Sequence, residues 1–165
     1  MSNPLNKFKC ILHAMLLLCT SSVAYSDQPK PFFYNSMDEL EATFSGEYFL
    51  LSVWSIECAP CLKELKVLSR LKKQYPDFNL VLLSADGPDL VDDAEKFLDD
   101  LNLSSITSWI YGTDRSENLR YAIDPRWYGE MPRSYFYDKE GQRTSTSGLL
   151  SEDVLLKWIA STSNE

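Results

Sequence analysis

Hydrophobic and polar positions follow two rhythms along the chain. Residues 48–55, Tyr-Phe-Leu-Leu-Ser-Val-Trp-Ser, carry no charge and are rich in aromatic and aliphatic side chains. That is the pattern of a strand covered on both faces of a sheet. Residues 79–85 repeat it with Leu80, Val81, Leu82 and Leu83. Between the two runs the period changes. Leu62, Leu65, Leu68 and Leu71 recur at helical spacing, while Lys63, Lys66, Arg70, Lys72 and Lys73 occupy the other positions. Residues 62–75 therefore read as an amphipathic helix, stopped by Pro76.

The alternation continues on both sides. Ser36 followed by Glu39 is a capping-box pattern and predicts a short helix over 36–44, ended by Gly46. Asp86-Gly87-Pro88 reads as a turn. An acidic amphipathic helix follows over 89–102, with Leu90, Ala94, Phe97, Leu98 and Leu101 inward. A strand is expected over 106–111 and a helix over 116–123, closed by Asp124-Pro125. Then come a strand over 133–137, a turn at Lys139-Glu140-Gly141, and a partner strand over 142–147 rich in Thr and Ser. The last helix spans 151–161, with Val154, Leu155, Trp158 and Ile159 inward. Residues 27–31 read as a mobile, polar, proline-containing lead-in. No repeat, linker or second domain interrupts the pattern, which is that of a layered α/β domain.

Composition supports one folded unit. At 165 residues, 44% hydrophobic and 24% charged, the chain fits a single domain with a real core. The beginning differs. Lys7 and Lys9 form a basic start, residues 11–18 an apolar stretch, and Ala24-Tyr25-Ser26 a small-x-small cleavage site, the organisation of a secretory signal. The apolar stretch is shorter than the ~20 residues of a membrane-spanning helix. An uncleaved anchor is the other reading of this segment. Lipid attachment at Cys19 fits less well, because Leu18 stands where a small residue is expected. The chain thus divides into a signal peptide, 1–26, and one domain, 27–165. The net charge of −8 becomes more negative once Lys7 and Lys9 are removed, which disfavours nucleic acid and anionic membrane as partners. Solubility alone accounts for the charge equally well. Export implies an oxidising compartment.

The candidate chemistry is Cys58-Ala59-Pro60-Cys61, lying between the strand at 48–55 and the helix at 62–75. Such a pair is open to three readings: half a zinc site, a structural bridge, or a redox pair. Structural zinc takes four ligands, and the other cysteines, Cys10 and Cys19, and the single His13 all lie before position 20, in the segment read as a signal peptide. A bridge across two residues closes so short a loop that it adds little stability. A strand-to-helix junction suits redox chemistry. A helix starting at the first cysteine directs free N–H groups and its positive dipole end at the Cys58 sulfur, favouring the thiolate. Cys58 is then the nucleophile. Cys61, one turn on, is the resolving thiol. Pro60 preorganises the first turn, where a missing N–H costs little.

The run Leu51-Ser52-Val53-Trp54-Ser55-Ile56-Glu57-Cys58-Ala59-Pro60-Cys61-Leu62-Lys63-Glu64-Leu65, together with Gly129-Glu130-Met131-Pro132-Arg133-Ser134-Tyr135, resembles the TlpA/ResA-like branch of thiol-disulfide oxidoreductases. The resemblance covers about 36–161. It implies a thioredoxin-like fold: a central mixed β-sheet flanked by helices, with a helical insertion between the βαβ half and the C-terminal ββα half. It also implies a cis peptide bond before Pro132, exposing the Met131 backbone beside Cys58. A substrate peptide pairs there as an added strand.

Three positions depart from the branch's pattern. Glu57 replaces a Trp before the first cysteine, and its carboxylate works against the Cys58 thiolate. Lys66 replaces a proline in the helix. Ser52 replaces thioredoxin's buried Asp, leaving Glu57 or Glu64 as the candidate proton acceptor, although a helical Glu64 is ordinarily exposed. Trp127 and Tyr128, before the Pro132 loop, are candidates for substrate docking, as is Trp54, whose strand suggests a core role. Arg126 and Arg133 either meet acidic substrates or balance local negative charge.

The resemblance implies an exported protein-disulfide reductase. Its partners are cysteine-containing proteins of that compartment and a membrane electron donor; no metal and no cofactor are implied. A disulfide-forming oxidase uses the same chemistry in reverse. A non-enzymatic interaction module with an idle disulfide is the reading from a different class. A peroxidase is disfavoured, since Leu51 and Ser55 stand where its Pro and Thr belong. Copper transport is disfavoured because no histidine follows His13.

Overall fold

The uncharged run before the cysteines becomes the centre of a six-stranded sheet. A computed structural model describes residues 28–162. The segment read as a signal peptide, 1–26, lies outside the described residues. In chain order the elements are β1 (Lys30–Phe32), α1 (Ser36–Thr43), β2 (Phe49–Trp54), α2 (Ala59–Gln74), β3 (Leu80–Ser84), α3 (Val91–Asp100), β4 (Thr107–Tyr111), α4 (Ser116–Ile123), β5 (Arg133–Tyr137), β6 (Arg143–Ser147) and α5 (Glu152–Thr162). A 3₁₀ turn over Pro88–Leu90 leads into α3.

Strand order is β1-β4-β3-β2-β5-β6. The first four run parallel, and β5 and β6 are antiparallel. The segment expected as a helical insertion carries α3 and α4. It also contributes β4, which lies between β1 and β3.

Alternation on the strands sorts side chains into two cores. Leu50, Trp54, Leu82 and Ile110 pack with Leu65, Leu68 and Leu71 of α2, Leu98 of α3, and Leu155 and Ile159 of α5. On the other face Leu51, Val53, Val81, Leu83, Tyr111 and Tyr135 pack with Leu40 of α1 and Leu119 and Ile123 of α4. Both faces of β2 are covered and the whole strand is buried, as its lack of charge predicts.

Three local expectations are corrected. The lead-in expected over 27–31 runs into β1 at Lys30, and β1 pairs with β4 from Lys30–Trp109 to Phe32–Tyr111. Pro31 hides the strand from a pattern reading, yet proline is tolerated at a sheet edge; Phe32 anchors it in the second core. The capping box does not form. The Ser36 hydroxyl accepts the Phe33 N–H at 2.9 Å, and Ser36 is the first helical residue. On α5, Leu155 and Ile159 face the sheet, and Val154, about 100° away around the helix, is exposed.

Candidate functional site

All the parallel strands end at one edge of the sheet, and the cysteines lie there, where β2 gives way to α2. The Cys58 N–H donates to the Ser55 carbonyl at 3.1 Å, closing a tight turn off the strand. Cys58 then caps α2 from an extended backbone conformation. Its carbonyl accepts the Leu62 N–H at 3.1 Å, and its sulfur accepts the Cys61 N–H at 3.2 Å. That N–H is one of the donors a helix start leaves free, and here it ends on sulfur. Pro60 sits in the same first turn, where no donor is lost.

A disulfide joins Cys58 to Cys61, with Cα atoms 5.2 Å apart. The two sulfurs are placed differently. Cys58 is half-buried, while Cys61 is 0% exposed and belongs to the core beneath α2. Cys58 keeps part of its surface in solvent, and Cys61 keeps none.

Behind Cys61, on the same face of α2, lies Glu64, only 1% exposed. Ser52 of β2 and Ser134 of β5 are paired in register. Both hydroxyls donate to Glu64 Oε1 at 3.2 Å. The Leu150 N–H donates to Oε2 at 2.9 Å. Burial raises the Glu64 pKa above the usual carboxylate range, and the Leu150, Ser134 and Ser52 hydrogen bonds offset part of that rise. Of the two carboxylates considered from the sequence, Glu57 is exposed on the turn and Glu64 is enclosed. The expectation of an exposed Glu64 is corrected: the position facing the β2–β5 pair places it inside, and three donors replace its water.

The loop before β5 borders the same place. β2 and β5 pair through Val53–Arg133, so Pro132 stands next to the strand end that leads to Cys58. The Met131–Pro132 peptide bond is cis. The Pro132 carbonyl accepts the Gly148 N–H at 2.8 Å. Met131 is half-buried and touches both cores.

The aromatic residues divide. Trp54 is buried against Phe97, ring centroids 5.8 Å apart. Trp127 is 4% exposed, its indole N–H donating to the Glu130 carbonyl at 2.9 Å, so its ring is core and offers no face to a partner. Tyr128 is 84% exposed.

Arg133 donates to Asp124 Oδ2 at 3.0 Å and to the hydroxyls of Ser145 and Ser147 at 2.7 and 2.9 Å. It therefore balances local charge. Burial opposes the ionised Asp124, but the Arg126 N–H and the Arg133 guanidinium outweigh it and hold the pKa below the usual range.

A second carboxylate, missed in the sequence, also serves the turn. Asp86 accepts from the Ser55 hydroxyl at 2.8 Å and from the Ile56 N–H at 2.9 Å. Its position is legible as the first charge after an uncharged strand, at the edge where ligands bind in such sheets.

Among the described residues, no helix is long and apolar enough to cross a membrane. No family model and no curated protein matches this chain. Solved structures do. A secreted disulfide oxidoreductase of Mycobacterium tuberculosis, homologous to E. coli DsbE, is similar with a TM-score of 0.59 and 22% identity, over 73% of this chain and 85% of that one. StoA from Bacillus subtilis gives 0.52 and 20%, over 70% and 84%. An exposed lipoprotein thioredoxin of Streptococcus pneumoniae gives 0.55 and 17%, over 73% and 88%. At these identities the likeness establishes the thioredoxin-like fold.

Proposed function

We propose that the protein is an exported thiol-disulfide oxidoreductase that reduces disulfides of partner proteins. The observation that carries this reading is the unequal placement of one cysteine pair: Cys58 is half-buried at a helix start with an N–H on its sulfur, and Cys61 is sealed behind it. In the dithiol form the Cys58 thiolate attacks one sulfur of a partner disulfide. A mixed disulfide forms and the other partner sulfur leaves as a thiolate. Cys61 gives up its proton and attacks Cys58 Sγ. The Cys58–Cys61 bond forms and the second partner sulfur leaves. The partner gains two electrons and two protons, and a dithiol donor, at the membrane in this reading, restores the starting form.

Glu64 is the proposed acceptor for the Cys61 proton. It follows Cys61 by three residues on the buried face of α2, and its raised pKa brings it toward the range in which a general base works. Met131 offers backbone, and Pro60 and Tyr128 offer exposed surface, to the arriving segment; Trp127 supports the loop from within. Glu57 beside Cys58 opposes extreme thiolate stabilisation, a trait of strong oxidants, and so supports the reductase direction. Export is supported by the leader pattern in residues 1–26 and by the description of the Mycobacterium tuberculosis neighbour as secreted.

Insulin reduction tests the reading. The purified domain with a thiol donor precipitates insulin B chain faster than the donor alone, and Cys58→Ser abolishes the gain. Equal rates for donor alone and donor with protein overturn it.

A further inference from the structure

We infer that Asp86 is a positioning residue for Cys58, a buried carboxylate on the neighbouring strand's exit that fixes the turn carrying the sulfur. The inference rests on the exchange reading above and identifies what keeps its nucleophile in place. β2 and β3 run side by side with Trp54 paired to Ser84. Beyond them the chain turns twice in the same place, and Asp86, 8% exposed, faces the β2 exit.

Its two oxygens reach both turns. Oδ1 accepts the Ser55 hydroxyl at 2.8 Å. Oδ2 accepts the Ile56 N–H at 2.9 Å and the Ser84 hydroxyl at 2.6 Å. The Ser84 hydroxyl accepts the Asp86 N–H at 3.1 Å, which fixes the carboxylate's own backbone. The Ser55 hydroxyl accepts the Glu57 N–H at 3.3 Å. Ser55 and Ile56 are thus held by Asp86 directly and Glu57 through Ser55. The next residue is Cys58, whose N–H closes on the Ser55 carbonyl at 3.1 Å.

The hold matters most when the disulfide is open. In the oxidised form the S–S bond itself keeps Cys58 against Cys61. In the dithiol form that tether is gone, and the sulfur stays over the Cys61 N–H only while the turn keeps its shape. Asp86 supplies a restraint that needs no sulfur. Its charge acts the other way, since a carboxylate near a sulfur disfavours the thiolate. Geometry and charge therefore predict opposite signs when Asp86 is changed.

The pH profile of Cys58 alkylation by iodoacetamide, in the reduced domain, separates them. Wild type, Asp86→Asn and Ser55→Ala are compared, with circular dichroism confirming the fold. Glu57 and Glu64 are unchanged in all three. Positioning predicts slower alkylation at neutral pH in both variants and a midpoint moved to higher pH. The loss is about tenfold for Asp86→Asn, the size of one charge-assisted hydrogen bond, and smaller for Ser55→Ala. Ser55→Ala keeps the Asp86 charge, and it carries the test if Asp86→Asn does not fold. A midpoint that moves down, or an unchanged profile, overturns the inference. Failure of wild-type Cys58 to exchange with a disulfide overturns the functional reading instead, so the two failures are distinguishable.

Discussion

Ser52 and Ser134 stand opposite each other on β2 and β5, and both hydroxyls end on one oxygen of Glu64, each at 3.2 Å. A serine pair across two central strands thus serves a carboxylate from a helix. Thioredoxin's buried acid, in the resemblance drawn from the sequence, matches Ser52; here the acid comes from α2 and the strand supplies a donor.

Two outcomes follow for Glu64→Gln. Its mixed disulfide on Cys58 resolves roughly hundredfold more slowly, the usual range for losing a general base, while the first attack by Cys58 is little changed. Quenched reaction with a peptide disulfide and mass spectrometry separates the two steps. Stability changes as well. Burial raises the folded-state pKa of Glu64, so the group's favourable contribution is full below its unfolded value of about 4.3 and is lost as pH rises through the folded one. Urea midpoints of wild type therefore fall across that window relative to Glu64→Gln.

The Arg133–Asp124 pair behaves in the opposite sense. Asp124 is nearly enclosed and its pKa is held down. Its contribution is present above the unfolded value of about 3.9 and is lost as pH falls through the lower folded one. Arg133→Ala leaves the buried carboxylate with the exposed Arg126 guanidinium, 3.7 Å away, as its ion-pair partner and costs about 3 kcal/mol at neutral pH. Chemical denaturation at neutral pH and near pH 2 checks both statements: the gap between wild type and variant narrows in acid.

Adjacent aromatic residues give opposite phenotypes. Trp127 fills the second core, and Trp127→Ala costs about 3–5 kcal/mol. Tyr128 is exposed, and Tyr128→Ala leaves the thermal midpoint within a degree or so of wild type, as surface substitutions do. In the docking role proposed here, that variant raises KM for a protein disulfide several-fold and leaves a small aromatic disulfide unaffected. Equal effects on both substrates remove Tyr128 from the docking surface.

Much of this architecture is legible in the sequence. Uncharged 48–55 fits a strand with both faces covered, and the leucine spacing of α2 leaves one face for the core. The cysteine site was legible because its chemistry is local: four consecutive residues at a strand-to-helix change. What escaped the sequence is non-local. β1 was hidden because its evidence lies on β4, where Trp109 to Tyr111 supply the partner backbone. Glu64 looked exposed because its three donors come from β2, β5 and Leu150, segments that only folding brings together. Asp86 looked like a turn residue for the same reason, its partner turn lying 30 residues earlier in the chain. Trp127 looked like a docking residue until its indole N–H found the Glu130 carbonyl.

The most direct measurement is a trap on Cys58. The reduced Cys61→Ser domain, residues 27–165, in which Cys58 is the one remaining cysteine, is mixed with an excess of a cysteine-peptide disulfide, and the intact mass is read with time. The account predicts one peptide thiol added, mapped to Cys58, and persisting because no second sulfur is present to release it; Cys58→Ser acquires none. An unmodified Cys61→Ser protein whose Cys58 still alkylates freely would contradict it.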